Sequence, residues 1–202
     1  MLPATSHTPS DRELIDRVLK QDPQAFRLVI RQSERMVAQV VHKMVDDEED
    51  RRDMAQEIYL KVYRKLGSFR FESKLTTWIC QLAYSSCIDY LRKKKIRPVV
   101  SGLSGRENEY GESNTPGIDI ATADPGPDEQ LARKQMTGRL KDGIAALPPV
   151  YRTVITLFHN EEMSYAEIME ITGLPAGTIK SYLARARKTL RENLFPNQLK
   201  KE

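Results

Sequence analysis

The sequence predicts an all-α protein: two small helical domains joined by an acidic flexible linker. Apolar residues keep helical spacing at Phe26, Val29, Ile30, Val37, Val40, Val41 and Met44, and again at Ile179, Leu183, Ala186 and Leu190. Helix-start signals stand ahead of such stripes, and a Gly- and Pro-rich acidic stretch with no apolar period lies between the two halves. No strand-like alternation competes. A chain of 202 residues with 40% hydrophobic content suits two small cores better than a single large one.

Taken in order, Ser10 with Glu13 has the form of a capping box, in which hydroxyl and carboxylate satisfy each other's helix-end N–H groups. Asp22 followed by Pro23 reads as an N-cap with proline in the first turn, ahead of the Phe26 to Met44 stripe. "DDEED" at 46–50 loads the start of the next helix with anions, as the helix dipole favours, and that helix runs through Met54, Ile58, Val62 and Leu66 to Gly67. A third long helix begins near Ser73 and passes Trp78, Leu82 and Ile88 to end in "RKKK" at 92–95, where cations suit a C-terminus.

The stretch 98–130 holds Gly102, Gly105, Gly111, Pro116, Gly117, Pro125, Gly126 and Pro127, and reads as linker. Beyond it, 131–147 is helical, "LPP" breaks the helix, and 150–158 starts again. Ser164 with Glu167 forms a second capping box, Gly173 supplies the positive φ of a tight joint, and Pro175 suits a helix start. Two helices across such a joint make a helix-turn-helix. Met169 stands where a small residue suits the helix crossing, and its side chain is expected to open that crossing slightly. The expected divisions are thus 1–97, linker 98–130, 131–196 and a tail at 197–202.

The net charge of +4 is unevenly spread. Residues 98–129 carry seven acids against Arg106 alone, a net of −6, which leaves +10 on the rest. A basic body points to a polyanionic partner. No apolar run reaches 18 residues, and Asp11, Arg12 and Glu13 stand where a signal peptide needs an apolar core, so membrane insertion is not expected and the expected compartment is the cytoplasm. Cys80 and Cys87, seven apart on one helix, lie about 10 Å from each other by helical rise, beyond disulfide reach. His7, His42 and His159 show no metal-ligand spacing with them. Neither a nucleophile–base spacing nor a phosphate loop is present, and no cofactor is expected.

Two segments carry binding chemistry. Between Lys180 and Arg191 the last helix has five cations and no acid. With Ile179, Leu183 and Ala186 facing inward, its opposite face offers Lys180, Ser181, Ala184 and Arg185 to base edges in a major groove, and Arg187, Lys188 and Arg191 to phosphates. In "SFRFESKLTTWICQLAYSSCIDYLRKKK", residues 68–95, Phe69, Phe71, Trp78, Tyr84 and Tyr90 alternate with cations, the mixture that stacks unpaired bases and follows a strand's backbone. Trp78, Leu82 and Ile88 read as core within it. Arg70, Phe71, Glu72, Ser73 and Lys74, at a loop entering a helix, read as exposed.

"DMAQEIYLKVYRKLGSFRFESKLTTWICQLAYSSCIDYLRKKK" resembles regions 2.2 to 2.4 of bacterial sigma factors of the extracytoplasmic-function (ECF) type. "LPPVYRTVITLFHNEEMSYAEIMEITGLPAGTIKSYLARARKTL" resembles their region 4. The resemblance covers about three quarters of the chain and includes the two-domain order. It implies a dissociable promoter-recognition subunit of RNA polymerase. Asp53, Gln56, Glu57, Leu60 and Tyr63 would dock on the clamp helices of the largest polymerase subunit, with the flap as a second contact. Arg70, Phe71, Glu72, Ser73, Lys74 and Trp78 would capture unstacked bases of the −10 element, with Ser85, Asp89 and Arg92 nearer the duplex edge. Thr178, Lys180, Ser181, Ala184, Arg185, Arg187 and Lys188 would read the −35 element, and the acidic linker would thread toward the active-site and RNA-exit channels. An anti-sigma factor is a further implied partner. The family often carries Asn at the position of Ser85 and Ala at that of Met169. The rival readings are a stand-alone helix-turn-helix regulator that binds duplex DNA without polymerase, and an enzyme using Asp89, Glu72 or Cys80.

Overall fold

The structure, a computed structural model, describes residues 9–94 and 127–195. These form α1 (Asp11–Leu19), α2 (Pro23–Met44), α3 (Glu48–Lys65), a 3-10 turn (Leu66–Ser68), α4 (Leu75–Lys93), α5 (Pro127–Ala145), α6 (Pro149–His159), α7 (Tyr165–Thr172) and α8 (Ala176–Leu194), with no strand among the described residues. Most of the expected linker, up to 126, and the tail at 197–202 lie outside the described residues.

Helix starts follow local chemistry. Ser10 and Glu13 form the capping box of α1, and Ser164 and Glu167 that of α7, each with both reciprocal bonds present. The Asp22 carboxylate accepts from the Gln24 and Ala25 N–H groups at the head of α2, and Asp47 accepts from Asp50 N–H at the head of α3. Gly173 ends α7 at φ 70° and lets the chain turn into α8.

Two starts lie a few residues from the positions expected. α4 begins at Leu75, two residues beyond Ser73, and Lys74 at its N-cap makes no side-chain capping bond. The Leu75 N–H instead donates to Asp11 Oδ2 of α1 at 3.0 Å, so the cap comes from the other end of the domain. α5 starts at Pro127, before Leu131, with Glu129 pairing to Arg133 one turn on at 2.8 Å. Proline suits a first helical position, which explains why a residue counted with the linker opens a helix instead.

The core is centred on α4, where eleven of nineteen residues are buried, including Leu75, Ile79, Cys80, Ala83, Cys87 and Leu91. α2 and α3 pack against it from one half of the chain and α7 from the other, while α6 lies along α2. α8 rests on α6, α5 and α7 through Ile179, Leu183, Ala186 and Leu190, the stripe expected of it, joined by Tyr182. Met169 is 39% exposed, so much of its side chain meets solvent. Burial pushes the Cys80 and Cys87 thiols up to about 12, with the Glu161 carboxylate adding to the shift at Cys80. Both cysteines are free.

Ion pairs join the two halves. Asp46 accepts from Arg152 Nη1 at 2.8 Å, Glu161 meets Arg35 at 3.4 Å, and Glu167 meets Lys74 at 3.5 Å. Arg152 is buried, and its Nε has no hydrogen-bond partner.

Gly173→Ala places a Cβ in the left-handed region and should lower unfolding free energy by about 1–2 kcal/mol. Chemical denaturation measures it, and an unchanged midpoint would show that the joint tolerates a side chain.

Candidate nucleic-acid interface

The buried stripe of α8 turns the opposite face to solvent. Lys180, Ser181, Arg185, Arg187 and Lys188 are exposed, and Thr178 and Ala184 are half-buried beside them. Several of these side chains are steadied from behind. Ser181 Oγ donates to the Gly177 carbonyl at 2.9 Å, and Arg185 Nη1 lies 3.5 Å from Tyr151 Oη. The Lys180 ammonium sits 5.9 Å from the Tyr165 ring centre, and the Arg187 guanidinium 5.6 Å from that of Phe158. Arg187 also approaches His159 Nε2 at 3.2 Å. The outcome is a cationic helix face with small residues near its start, which a major groove admits.

The second surface begins after the 3-10 turn. Phe69 is buried, and Phe71 stands edge-on to it at 4.9 Å between ring centres, while Trp78 packs on Phe69 at 5.3 Å. Phe71 is 42% exposed and holds φ 58°, a conformation that costs a bulky residue energy and recurs at ligand-contacting sites. Arg70, Glu72 and Lys74 around it are exposed, and Ser73 is half-buried. Along α4, Lys74, Trp78, Ser85, Asp89 and Arg92 project within about 60° of one another at 3.6 residues per turn. From Trp78 to Arg92 that face is about 20 Å long. Ser85 Oγ donates to the Leu82 carbonyl at 3.0 Å, and Asp89 pairs with Arg92 at 3.7 Å.

Only part of the expected aromatic series is available to a ligand. Tyr84 is 5% exposed and lies near Tyr182 of α8, and burial raises its hydroxyl well above the usual range. Phe69 is core, because the loop folds it beneath Phe71. Tyr90 donates to Asp50 Oδ2 at 2.7 Å, an oxygen shared with the Lys94 ammonium; these bonds, Lys94 first, hold the Asp50 carboxyl below its usual range. Phe71 and the half-buried Trp78 remain as platforms. Two neighbours escaped sequence reasoning. Gln81 is exposed on the same face of α4, and Arg12 of α1 places its guanidinium 5.0 Å from the Phe71 ring centre.

A third surface lies on α3. Asp53, Gln56, Glu57, Leu60 and Tyr63 are all exposed and share one side of the helix. Leu60 and Tyr63, at 56% and 48% exposure, are large apolar groups left without a covering element. Phe26 meets Tyr63 edge-on at 5.1 Å above an open depression lined by Val18, Pro23 and Arg27. Leu19 is a further large apolar side chain left exposed, at 55%.

Known proteins share this arrangement. The model for sigma-70 region 2 matches residues 29–96, and that for sigma-70 region 4 matches residues 137–190. The ECF RNA polymerase sigma-E factor of Escherichia coli (strain K12) is 32% identical over 187 residues, covering 93% of this chain and 95% of that protein. The chain belongs to the ECF group of RNA polymerase sigma factors. The RNA polymerase sigma-H factor of Pseudomonas aeruginosa is 30% identical over 92% of this chain and 94% of its own length. In fold, the chain resembles CnrH, seen in complex with the cytosolic domain of CnrY, with TM-score 0.61 and 18% identity over 94% of this chain and 99% of that one. It also resembles the sigma factor RpoE of Bartonella quintana, seen with the anti-sigma factor NepR, with TM-score 0.55 and 21% identity over 88% of this chain and 97% of that one. A sigma factor is a polymerase-binding initiation factor and not an enzyme, which sets aside both the stand-alone regulator and the catalytic readings. Among the described residues no helix is long and apolar enough to cross a membrane.

Two histidines, His159 behind the α8 face and His42 on α2, are shifted from their ordinary pKa. Burial first, and the Arg187 charge second, hold His159 below its ordinary value of 6.5. Burial first, then Arg51 and Lys43, do the same to His42. A histidine lowered in this way binds its proton less readily when folded than when unfolded, so the stability it contributes is present above pH 6.5 and is lost as the pH falls through the folded-state value. Unfolding free energy should therefore decline below about pH 6.5, and less so in the His42→Asn, His159→Asn double variant. Parallel pH curves for the two proteins would assign the decline to other groups.

Proposed function

We propose that this sigma factor divides promoter recognition among three surfaces. Thr178, Lys180, Ser181, Ala184 and Arg185 read the −35 element in the major groove, with Arg187 and Lys188 on the flanking phosphates. Arg70, Phe71, Glu72, Ser73, Lys74 and Trp78 capture unstacked bases of the −10 element, and Ser85, Asp89 and Arg92 meet the adjoining duplex. Asp53, Gln56, Glu57, Leu60 and Tyr63 dock on the clamp helices of the largest polymerase subunit, and the flap meets the α5–α8 half. The observation that carries this reading is Phe71, an exposed ring in a left-handed backbone conformation at the head of a polar, charged helix face.

Strand opening on this surface is an exchange of contacts. Unpairing and flipping a base costs a few kcal/mol, and stacking on an aromatic platform returns about 1–3 kcal/mol per base. Cations at Arg70, Lys74 and Arg92 add attraction to the strand's backbone. No bond is made or broken by the chain. The protein works in the cytoplasm with core polymerase, and an anti-sigma factor is its regulatory partner, as the complexes of CnrH and of the Bartonella protein support.

The test is transcription from a promoter by core polymerase with and without the purified chain. Start-site choice that depends on the chain supports the reading; no dependence would end it. Arg185→Ala should weaken selection of the −35 element by about 1–3 kcal/mol, and an unchanged footprint would remove Arg185 from the contact. Phe71→Ala should leave duplex binding intact and reduce permanganate reactivity of unpaired thymines, whereas wild-type reactivity would exclude Phe71 from opening.

A further inference from the structure

The first turn of α1, far from the strand-capture loop in sequence, is built into it. Asp11 and Arg12 are successive residues on that turn, directly after the capping box that fixes its start. Asp11 Oδ2 accepts the Leu75 N–H at 3.0 Å, and α4 has no side-chain cap of its own at Lys74. Arg12 spreads its guanidinium over the Phe71 ring, 5.0 Å from the centre. The two contacts hold opposite ends of the segment 71–75, one at the exposed aromatic ring and one at the helix start behind it.

We infer that Asp11 and Arg12 are working parts of the −10 site: Asp11 positions the capture loop, and Arg12 forms one wall of the Phe71 platform and carries a positive charge for the captured strand. This rests on the −10 reading above. A ring in a left-handed conformation stays there only where surrounding contacts fix it. Phe71 has two such contacts, Phe69 edge-on and Arg12 across its face. A cation on an aromatic face stabilises the pair and leaves N–H groups at its rim to meet phosphate oxygens. Arg12 is itself exposed, so a strand reaching Phe71 passes it. Asp11 acts one step further back. It satisfies one of the orphan N–H groups of α4 and sets the direction in which the loop enters the helix.

The experiment uses holoenzyme assembled from the full chain and a core polymerase that the wild-type chain activates. It measures binding of a single-stranded oligonucleotide carrying the −10 sequence, together with thymine reactivity on the duplex promoter. Core affinity, thermal midpoint and −35 duplex binding are followed for every variant. Arg12→Ala should weaken oligonucleotide binding by about three- to tenfold and flatten its salt dependence, with Arg12→Lys restoring the salt dependence and only part of the affinity. Asp11→Ala should weaken binding by a similar factor, and Asp11→Asn, which keeps an acceptor for the Leu75 N–H, should restore it. Core affinity and −35 binding should stay at wild-type values in every variant, a pattern that a merely structural role does not give, and the thermal midpoint should fall only in Asp11→Ala, which removes the cap of α4. Wild-type oligonucleotide binding in all four variants, with Phe71→Ala defective, would overturn the role of α1 and leave the −10 reading standing. If Phe71→Ala also bound as wild type, both would fall.

Discussion

α4 is a helix with almost no free side, and its enclosure organises the molecule. Leu75, Ile79, Cys80, Ala83, Cys87 and Leu91 are at 1% exposure or less, covered by α2 and α3 from one half and α7 from the other. A side chain such as Ile79, moved wholly out of water, contributes on the order of 1.5–3 kcal/mol. That enclosure leaves one narrow outward stripe, and Lys74, Trp78, Ser85, Asp89 and Arg92 occupy it. The surface assigned to promoter strands is therefore the residue of a packing problem: it is what remains of the helix once two halves have covered the rest.

The enclosure also explains which side chains are unsuited to ligand contact. A thiol lifted to about 12 and sealed in the core, as at Cys80 and Cys87, is a poor nucleophile at neutral pH, consistent with a protein that acts by contact alone. The cations of α8 are in the reverse situation. Tyr151, Tyr165 and Phe158 supply an aromatic backing to Arg185, Lys180 and Arg187 without covering them, so long side chains give up some of their freedom before a ligand arrives.

Much of this was legible in the residues, wherever cause and effect lie within a turn or two. The two capping boxes, the Asp22 cap, the Gly173 joint and the buried stripe of α8 are all local, and spacing alone reveals them. Asp53, Gln56, Glu57, Leu60 and Tyr63 are named by the family resemblance, and they are exposed on a helix whose Met54, Ile58 and Val62 face inward. What spacing does not reveal depends on partners distant in the chain. Tyr84 looks like a candidate platform until Tyr182 of α8 arrives beside it, and Phe69 looks equal to Phe71 until the loop folds one beneath the other. The cap of α4 comes from Asp11, 64 residues away, so no local pattern announces it. At Pro127 the signals were present but conflicting, since proline and acid residues mark both linkers and helix starts.

The contact between Lys74 and Glu167 has a geometric consequence for the whole molecule. It places the loop assigned to the −10 element within one side chain's reach of α7, which abuts α8. The −10 and −35 elements proposed for these surfaces are separate sequences along a duplex that rises about 3.4 Å per base pair. For both proposed surfaces to engage one promoter at separate sites, the pairs Asp46–Arg152, Arg35–Glu161 and Lys74–Glu167 are the ion pairs between the halves that have to part.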